Sequence, residues 1–158
     1  MSEQDRGQFL LRLQVICGAL AASVVMYVGV AWVVVRQGAL GEVSGAMPAA
    51  LPGAMLVAAA LLLVAAGRVQ RAMLARAAKP DGTGGSGVPM QAIQSAYIVG
   101  FALREAVAIC GLVLTLISGD LKWAVVLSAV AVLAMVAGWP TRSRVESYLG
   151  QGRGPLEP

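Results

Sequence analysis

The chain has 158 residues, 58% hydrophobic and 13% charged, with a mean hydropathy of +0.77 and a formal net charge of +4. A soluble domain of this size carries about a quarter charged residues, so the composition excludes an ordinary water-soluble fold and predicts one compact membrane-embedded unit. The sequence has no histidine, the usual ligand of haem, copper and catalytic zinc and the usual proton relay near neutral pH, so neither a cofactor nor a metal site is expected.

The first apolar run, about Leu10 to Val35, follows a short polar start with Arg6 and Arg12. It is longer than the roughly 7–15 residues of a signal-peptide core, which predicts an uncleaved span. The second run covers Ala49 to Ala66 and continues to residue 78 as a polar helix. Its apolar part holds no polar side chain, so it is expected to face lipid or to fill apolar volume. "KPDGTGGSGVP", Lys79 to Pro89, reads as a mobile Gly/Ser linker, and the glycines between Arg36 and Pro48 read as a short flexible loop. The third run spans Ala96 to Ile117 and the fourth Leu121 to Trp139, ending at Pro140. "SGD", Ser118 to Asp120, forms a tight hairpin between them in which Ser118 or Asp120 can cap the fourth helix.

Runs of this length match ~30 Å of hydrocarbon at ~1.5 Å per residue, and without period-two alternation they can span only as helices. The fold expected is therefore all-α: a polytopic membrane protein with four transmembrane helices in an up-down bundle. It forms a single domain over residues 1–150, followed by a disordered tail, 151–158. Cys17 and Cys110 both lie inside apolar runs and read as small packing residues.

Orientation follows from the basic residues. Arg6, Arg12, Arg68, Arg71, Arg76, Lys79, Arg142, Arg144 and Arg153 fall on one side, and Arg36 and Lys122 on the other. Basic residues stay cytoplasmic, so both termini are expected in the cytoplasm, with Trp32 and Trp123 at the outer boundary and Phe9 and Trp139 at the inner one. Arg68, Arg71, Arg76 and Lys79 extend the second helix beyond the membrane as a headgroup-binding face, each worth about 1 kcal/mol beside an anionic leaflet. Without a nucleic-acid-binding fold or aromatic residues among these charges, nucleic acid is not an expected partner.

"FALREAVAICGLVL", Phe101 to Leu114, carries the one intramembrane polar pair, Arg104 and Glu105. Glu105 sits near mid-depth, where a charge costs at least about 2.5–3.5 kcal/mol and normally faces a bundle interior with a partner. Adjacent helical residues point about 100° apart, so each member needs its own help. Arg104 can lean toward the cytoplasmic end along the stripe of Gly100 and Tyr97. For Glu105 the candidate partners are Ser23 and Tyr27 on the first span, Ser128 on the fourth, or the Arg104 guanidinium bent back. The small residues Gly100, Ala102, Ala106 and Gly111 permit close helix approach, placing the third helix at the bundle centre or at an interface with another subunit.

"EAVAICGLVLTL", Glu105 to Leu116, resembles the carboxylate helix of rotary ATPase proteolipids, the c-subunit family. The resemblance implies that Glu105 matches the carboxylate that binds one proton or Na⁺, Ala106 its small neighbour and Gly111 the close-packing glycine. The chain as a whole resembles a group of small uncharacterised bacterial four-span membrane proteins. They share a Tyr in the first helix (Tyr27), an acidic-Ala third helix (Glu105 to Val113), a "GD" hairpin (Gly119-Asp120) and a final Pro followed by Arg ("WPTR"). That likeness implies the bacterial cytoplasmic (inner) membrane.

An enzyme is not expected, because the hydroxyls and carboxylates available for one are scattered over separate spans. Two functions remain. One is a structural or accessory subunit that packs into a larger membrane complex, or against itself, through the third helix. The other is proton or Na⁺ handling by Glu105. The discriminating feature is Arg104: if it pairs with Glu105 the carboxylate stays ionised, and if it turns away Glu105 is free to take up a proton.

Overall fold

The computed structural model describes residues 3–38, 50–77 and 90–150. The glycine-containing loop after the first helix, the Gly/Ser linker with Lys79, and the tail lie outside the described residues. Five helices follow in order: α1 (Glu3–Arg36), α2 (Ala50–Ala77), α3 (Met90–Ser118), α4 (Lys122–Ala137) and α5 (Arg142–Gly150). Among the described residues there is no strand.

Helices α1 and α3 both end on a glycine in the left-handed region. Gly38 has φ 65° and Gly119 φ 70°, a conformation that costs a Cβ-bearing residue and so stops the helix where glycine stands. The Gly119 N–H closes the last turn of α3 on the Thr115 carbonyl at 2.8 Å. In α2, Pro52 stands in the first turn, where its missing N–H removes no helical bond.

α3 is the hub, in contact with α1, α2 and α4, while α1 also meets α4. Its sequence explains this. Ile93, Tyr97, Gly100, Arg104, Val107, Gly111 and Leu114 recur at alternating steps of four and three, and a second stripe holds Ala96, Phe101, Ala108 and Thr115. All are buried, so α3 presents two faces to neighbours instead of the single stripe of a surface helix. The buried face of α2 holds Ala59, Ala66, Gln70 and Leu74, and that of α4 holds Ala124, Leu127, Ser128, Ala131 and Met135.

The apolar part of α2 is largely uncovered, and only its narrow alanine face packs within the bundle. One face of α2 is a regular stripe, and the stripe continues past Ala66 into the polar extension, where Gln70 is buried. The fourth helix is shorter than expected: it stops at Ala137 rather than Trp139. Gly138 breaks it, its N–H lying 3.1 Å from the Ala134 and Met135 carbonyls. Trp139 then turns its ring edge onto Phe101, with centroids 6.1 Å apart and planes inclined 65°. Beyond buried Pro140 the chain forms α5, which the sequence reading did not anticipate; it seals the bundle end with Val145, 1% exposed.

The hairpin between α3 and α4 is held by more than the expected cap. Leu121 occupies the capping position and supplies no side-chain bond. Asp120 Oδ1 instead accepts the Lys122 N–H at 3.0 Å, and Ser118 Oγ accepts the Asp120 N–H at 3.2 Å. Thr115 Oγ1 accepts the buried Ala124 N–H at 2.9 Å and donates to the Asp120 carbonyl at 3.1 Å, tying the end of α3 to the first turn of α4.

α1, α2 and α3 are long and apolar enough to cross a membrane; α4, with 16 residues, covers about 24 Å at ~1.5 Å per residue. Large apolar side chains point outward, among them Met26 and Leu133 at 69% exposed and Leu61 at 64%. An apolar belt of this extent suits a hydrocarbon solvent and marks the chain as a membrane protein.

Candidate functional site: two polar clasps on α3

Arg104 and Glu105 stand in adjacent positions of α3, and the helical advance of about 100° per residue sends them to different neighbours. Glu105 faces α1. Its Oε1 accepts a hydrogen bond from Ser23 Oγ and another from Tyr27 Oη, each at 2.6 Å. Ser23 and Tyr27 are four residues apart and so share one face of α1. Ser23 Oγ also lies 2.7 Å from the Leu20 carbonyl, and its single proton serves one acceptor at a time.

Arg104 faces the opposite way, toward α2 and the end of α4. The residue is 8% exposed. Its Nη2 donates to Gln70 Oε1 at 3.1 Å, and its Cζ stands 5.5 Å from the Phe101 ring centroid. Two glycines make room for it. A Cβ on Gly138 would lie 2.9 Å from Arg104 Nη2, and one on Gly100 would lie 2.7 Å from Gln70 Oε1 and 3.3 Å from Arg104 Nη1. Gly100 thus leaves room both for the Gln70 side chain of neighbouring α2 and for Arg104. Arg104 Nη1 is buried with no hydrogen-bond partner among the described residues. The bent-back pairing of Arg104 with Glu105 does not form, because the hydrogen bonds of each run to other helices.

The remaining sequence-predicted residues divide. Tyr97, 2% exposed, lies on the Arg104 side, lining a cavity with Gln70 and Arg104. Ser128 is buried on α4 but is not joined to Glu105: its Oγ has no hydrogen-bond partner, and it borders an apolar groove with Val24, Val28 and Trp32 of α1. Gly111 is a close-packing position, since a Cβ there would lie 2.8 Å from both Leu127 Cβ and the Trp123 carbonyl. Ala106 is half-buried, whereas Ala102 is exposed, with Ser95 and Ile109 on the same outer stripe, and so takes no part in packing within the chain. Arg68, Arg71 and Arg76 are all exposed on the extension of α2.

Three residues of the clasp and cavity region escaped the sequence reading. Gln70 was hidden among the charges of "GRVQRAM", although it continues the buried spacing from Ala59 and Ala66. Gly138 lay inside the fourth apolar run without a mark of its own, and Arg144 looked like one more basic residue. Arg144 Nη1 in fact donates to the Ala137 carbonyl at 2.8 Å, closing the end of α4. Among the described residues no three His, Cys, Asp or Glu side chains cluster as metal ligands. No family model matches the chain, and neither a curated protein nor a solved structure shows significant similarity to it.

Proposed function

We propose that this protein is a four-span integral membrane protein of the bacterial inner membrane, with both termini in the cytoplasm. In this reading it serves as a structural or accessory subunit that associates with itself or with other membrane subunits through α3. The observation that carries the reading is the use made of the two intramembrane charges: Glu105 joins α3 to Ser23 and Tyr27 of α1, and Arg104 joins it to Gln70 of α2. Polar side chains spent on neighbouring helices stabilise one arrangement of the bundle. The outer stripe of Ser95, Ala102 and Ile109 leaves a narrow face of α3 uncovered for a further helix. The shorter α4 spans in this reading with its ends extended by Leu121, Gly138 and Trp139.

Proton or Na⁺ handling by Glu105 is the second reading. It is favoured by one observation: Arg104 is engaged by Gln70, and among the described residues hydroxyls, not a cation, hold the carboxylate. A proteolipid-like role for the third helix belongs to this reading.

One experiment separates the two. Purified wild-type protein and Glu105→Gln are reconstituted into liposomes, and proton and Na⁺ flux are measured beside unfolding midpoints. The structural reading predicts equal flux in both and a lowered midpoint in the variant. A flux present in the wild type and lost in Glu105→Gln rejects it in favour of ion handling. Within the clasp, a double-mutant cycle of Tyr27→Phe with Glu105→Gln should give a coupling of about 0.6 kcal/mol, the average for interhelical hydrogen bonds in membranes, and at most about 1.7. Additive effects would remove Tyr27 from the clasp.

A further inference from the structure

At the bundle end where α2, α4 and α5 meet the first half of α3 lies a half-open cavity of about 500 Å³. Its walls mix two kinds of residue. Leu63, Leu74, Ala134 and Ala137 are apolar, while Gln70, Tyr97, Arg71, Arg104 and Arg144 bring polar groups from three helices, α2, α3 and α5. Three of these are arginines, and among the described residues none of the lining side chains is acidic.

Arg104 is the anomaly that the fold itself leaves open. A guanidinium offers five N–H donors and keeps its charge at any accessible pH. The residue is 8% exposed, and among the described residues only Gln70 accepts from it and Nη1 is buried without a partner. Burying a charge is unfavourable unless an opposite charge accompanies it. The nearest carboxylate in sequence, Glu105, is committed to α1 on the other side of the helix. Gly138 and Gly100 hold the guanidinium in place at the cavity wall, where a side chain on either would collide with the clasp. Arg71 and Arg144 are exposed and approach the same space from α2 and α5.

We propose that this cavity is an anion site, built to take a phosphate group with Arg104 as its buried anchor and Arg71 and Arg144 at its mouth. Guanidinium recognises phosphate by paired, charge-assisted hydrogen bonds, which makes arginine the side chain suited to this geometry. The apolar wall beside the arginines accommodates acyl chains when the phosphate is a lipid headgroup; a free phosphate would use the arginines alone. The site differs from the exposed face of Arg68, Arg71 and Arg76 in requiring a group that enters the bundle. It stands independently of the accessory-subunit reading.

The test uses the full chain purified in neutral detergent, with lipid retention measured by native mass spectrometry. Phosphatidylglycerol, phosphatidylcholine and inorganic phosphate are the probes. Arg104→Gln and Arg71→Gln are compared with Arg76→Gln, which removes the same charge from an exposed position outside the cavity. Phosphatidylglycerol should be retained about tenfold or more over phosphatidylcholine, with about tenfold weaker retention in Arg104→Gln and Arg71→Gln and little change in Arg76→Gln. Arg71 is exposed, so its variant remains informative if Arg104→Gln fails to fold. Binding of inorganic phosphate with the same arginine dependence, and without lipid preference, supports the anion site and assigns a soluble source. Equal losses in all three variants reduce the effect to surface attraction and overturn the proposal, as does failure of both phosphatidylglycerol and phosphate to bind.

Discussion

Gly111 offers the sharpest test of how α3 and α4 fit together. A Cβ at this position would lie 2.8 Å from the Trp123 carbonyl oxygen, 2.8 Å from Leu127 Cβ and 3.3 Å from Ala124 Cα. Two of those atoms are backbone and the third is fixed to it, so no side-chain rotation can relieve the contact. Ordinary contact is about 3.5–4.0 Å, so α4 would have to retreat by roughly 0.7 Å or more. The retreat would also stretch the 2.9 Å bond from the Ala124 N–H to Thr115. Overpacking of this kind costs about 1–3 kcal/mol, and weakening a buried hydrogen bond adds to it. Alanine restores about 1 kcal/mol of helix propensity over glycine, leaving Gly111→Ala less stable than wild type by about 1–3 kcal/mol. Gly29, within α1, meets nothing within 4 Å, so Gly29→Ala carries the propensity gain alone and should be neutral or more stable by up to about 1 kcal/mol. Both variants of the full chain can be unfolded in mixed micelles with increasing SDS and followed by far-UV circular dichroism. A Gly111→Ala protein as stable as Gly29→Ala would refute the close approach of α4 to α3.

Thr115→Val keeps the volume but removes the group that accepts the Ala124 N–H and donates to Asp120, and leaving a buried donor unmade costs about 1–3 kcal/mol. A drop of that size in the same unfolding assay is expected, and an unchanged midpoint would remove Thr115 from the hairpin. Asp120, in the exposed hairpin, has its carboxyl held below the usual range, chiefly by the Lys122 side chain and then by the Lys122 backbone N–H. A depressed folded pKa means that its contribution is complete above the unfolded value, about 3.9, and is lost as pH falls through the lower folded value. Asp120→Asn should therefore lower the unfolding midpoint near neutral pH and approach the wild type in acid; a difference that stays constant down to about pH 2 would contradict the ion pair.

Much of the fold was legible because it depends on quantities that add along the chain. Apolar runs of adequate length located α1, α2 and α3, and the pairing of Glu105 with Ser23 and Tyr27 was among the partners that depth alone nominated. The same depth argument equally nominated Ser128, which the structure places at a different groove. Depth specifies a level in the bundle, whereas contact also requires an azimuth, and the azimuth of α4 depends on where Gly111 lets it approach. Gln70 was missed for a related reason. Gln70 lies among arginines, so average polarity described its surroundings as a solvated extension, while its own spacing from Ala66 placed it on the buried stripe. α5 was missed because nine residues of low hydropathy carry little periodic signal, and it is held by tertiary contacts of Val145 and Arg144.

By itself, the sequence determined that the chain is helical, that three helices are long enough for a bilayer, and that two charges stand together in the third. Those features follow from composition and from steps of 100° and 1.5 Å that need no neighbours. Only the tertiary structure decided that the two charges part company, Glu105 to the hydroxyls of α1 and Arg104 to Gln70 of α2. Which helix receives each charge is set by where close approach is sterically allowed. Gly100 and Gly138 make space for the guanidinium, and that permission comes from side chains that are absent.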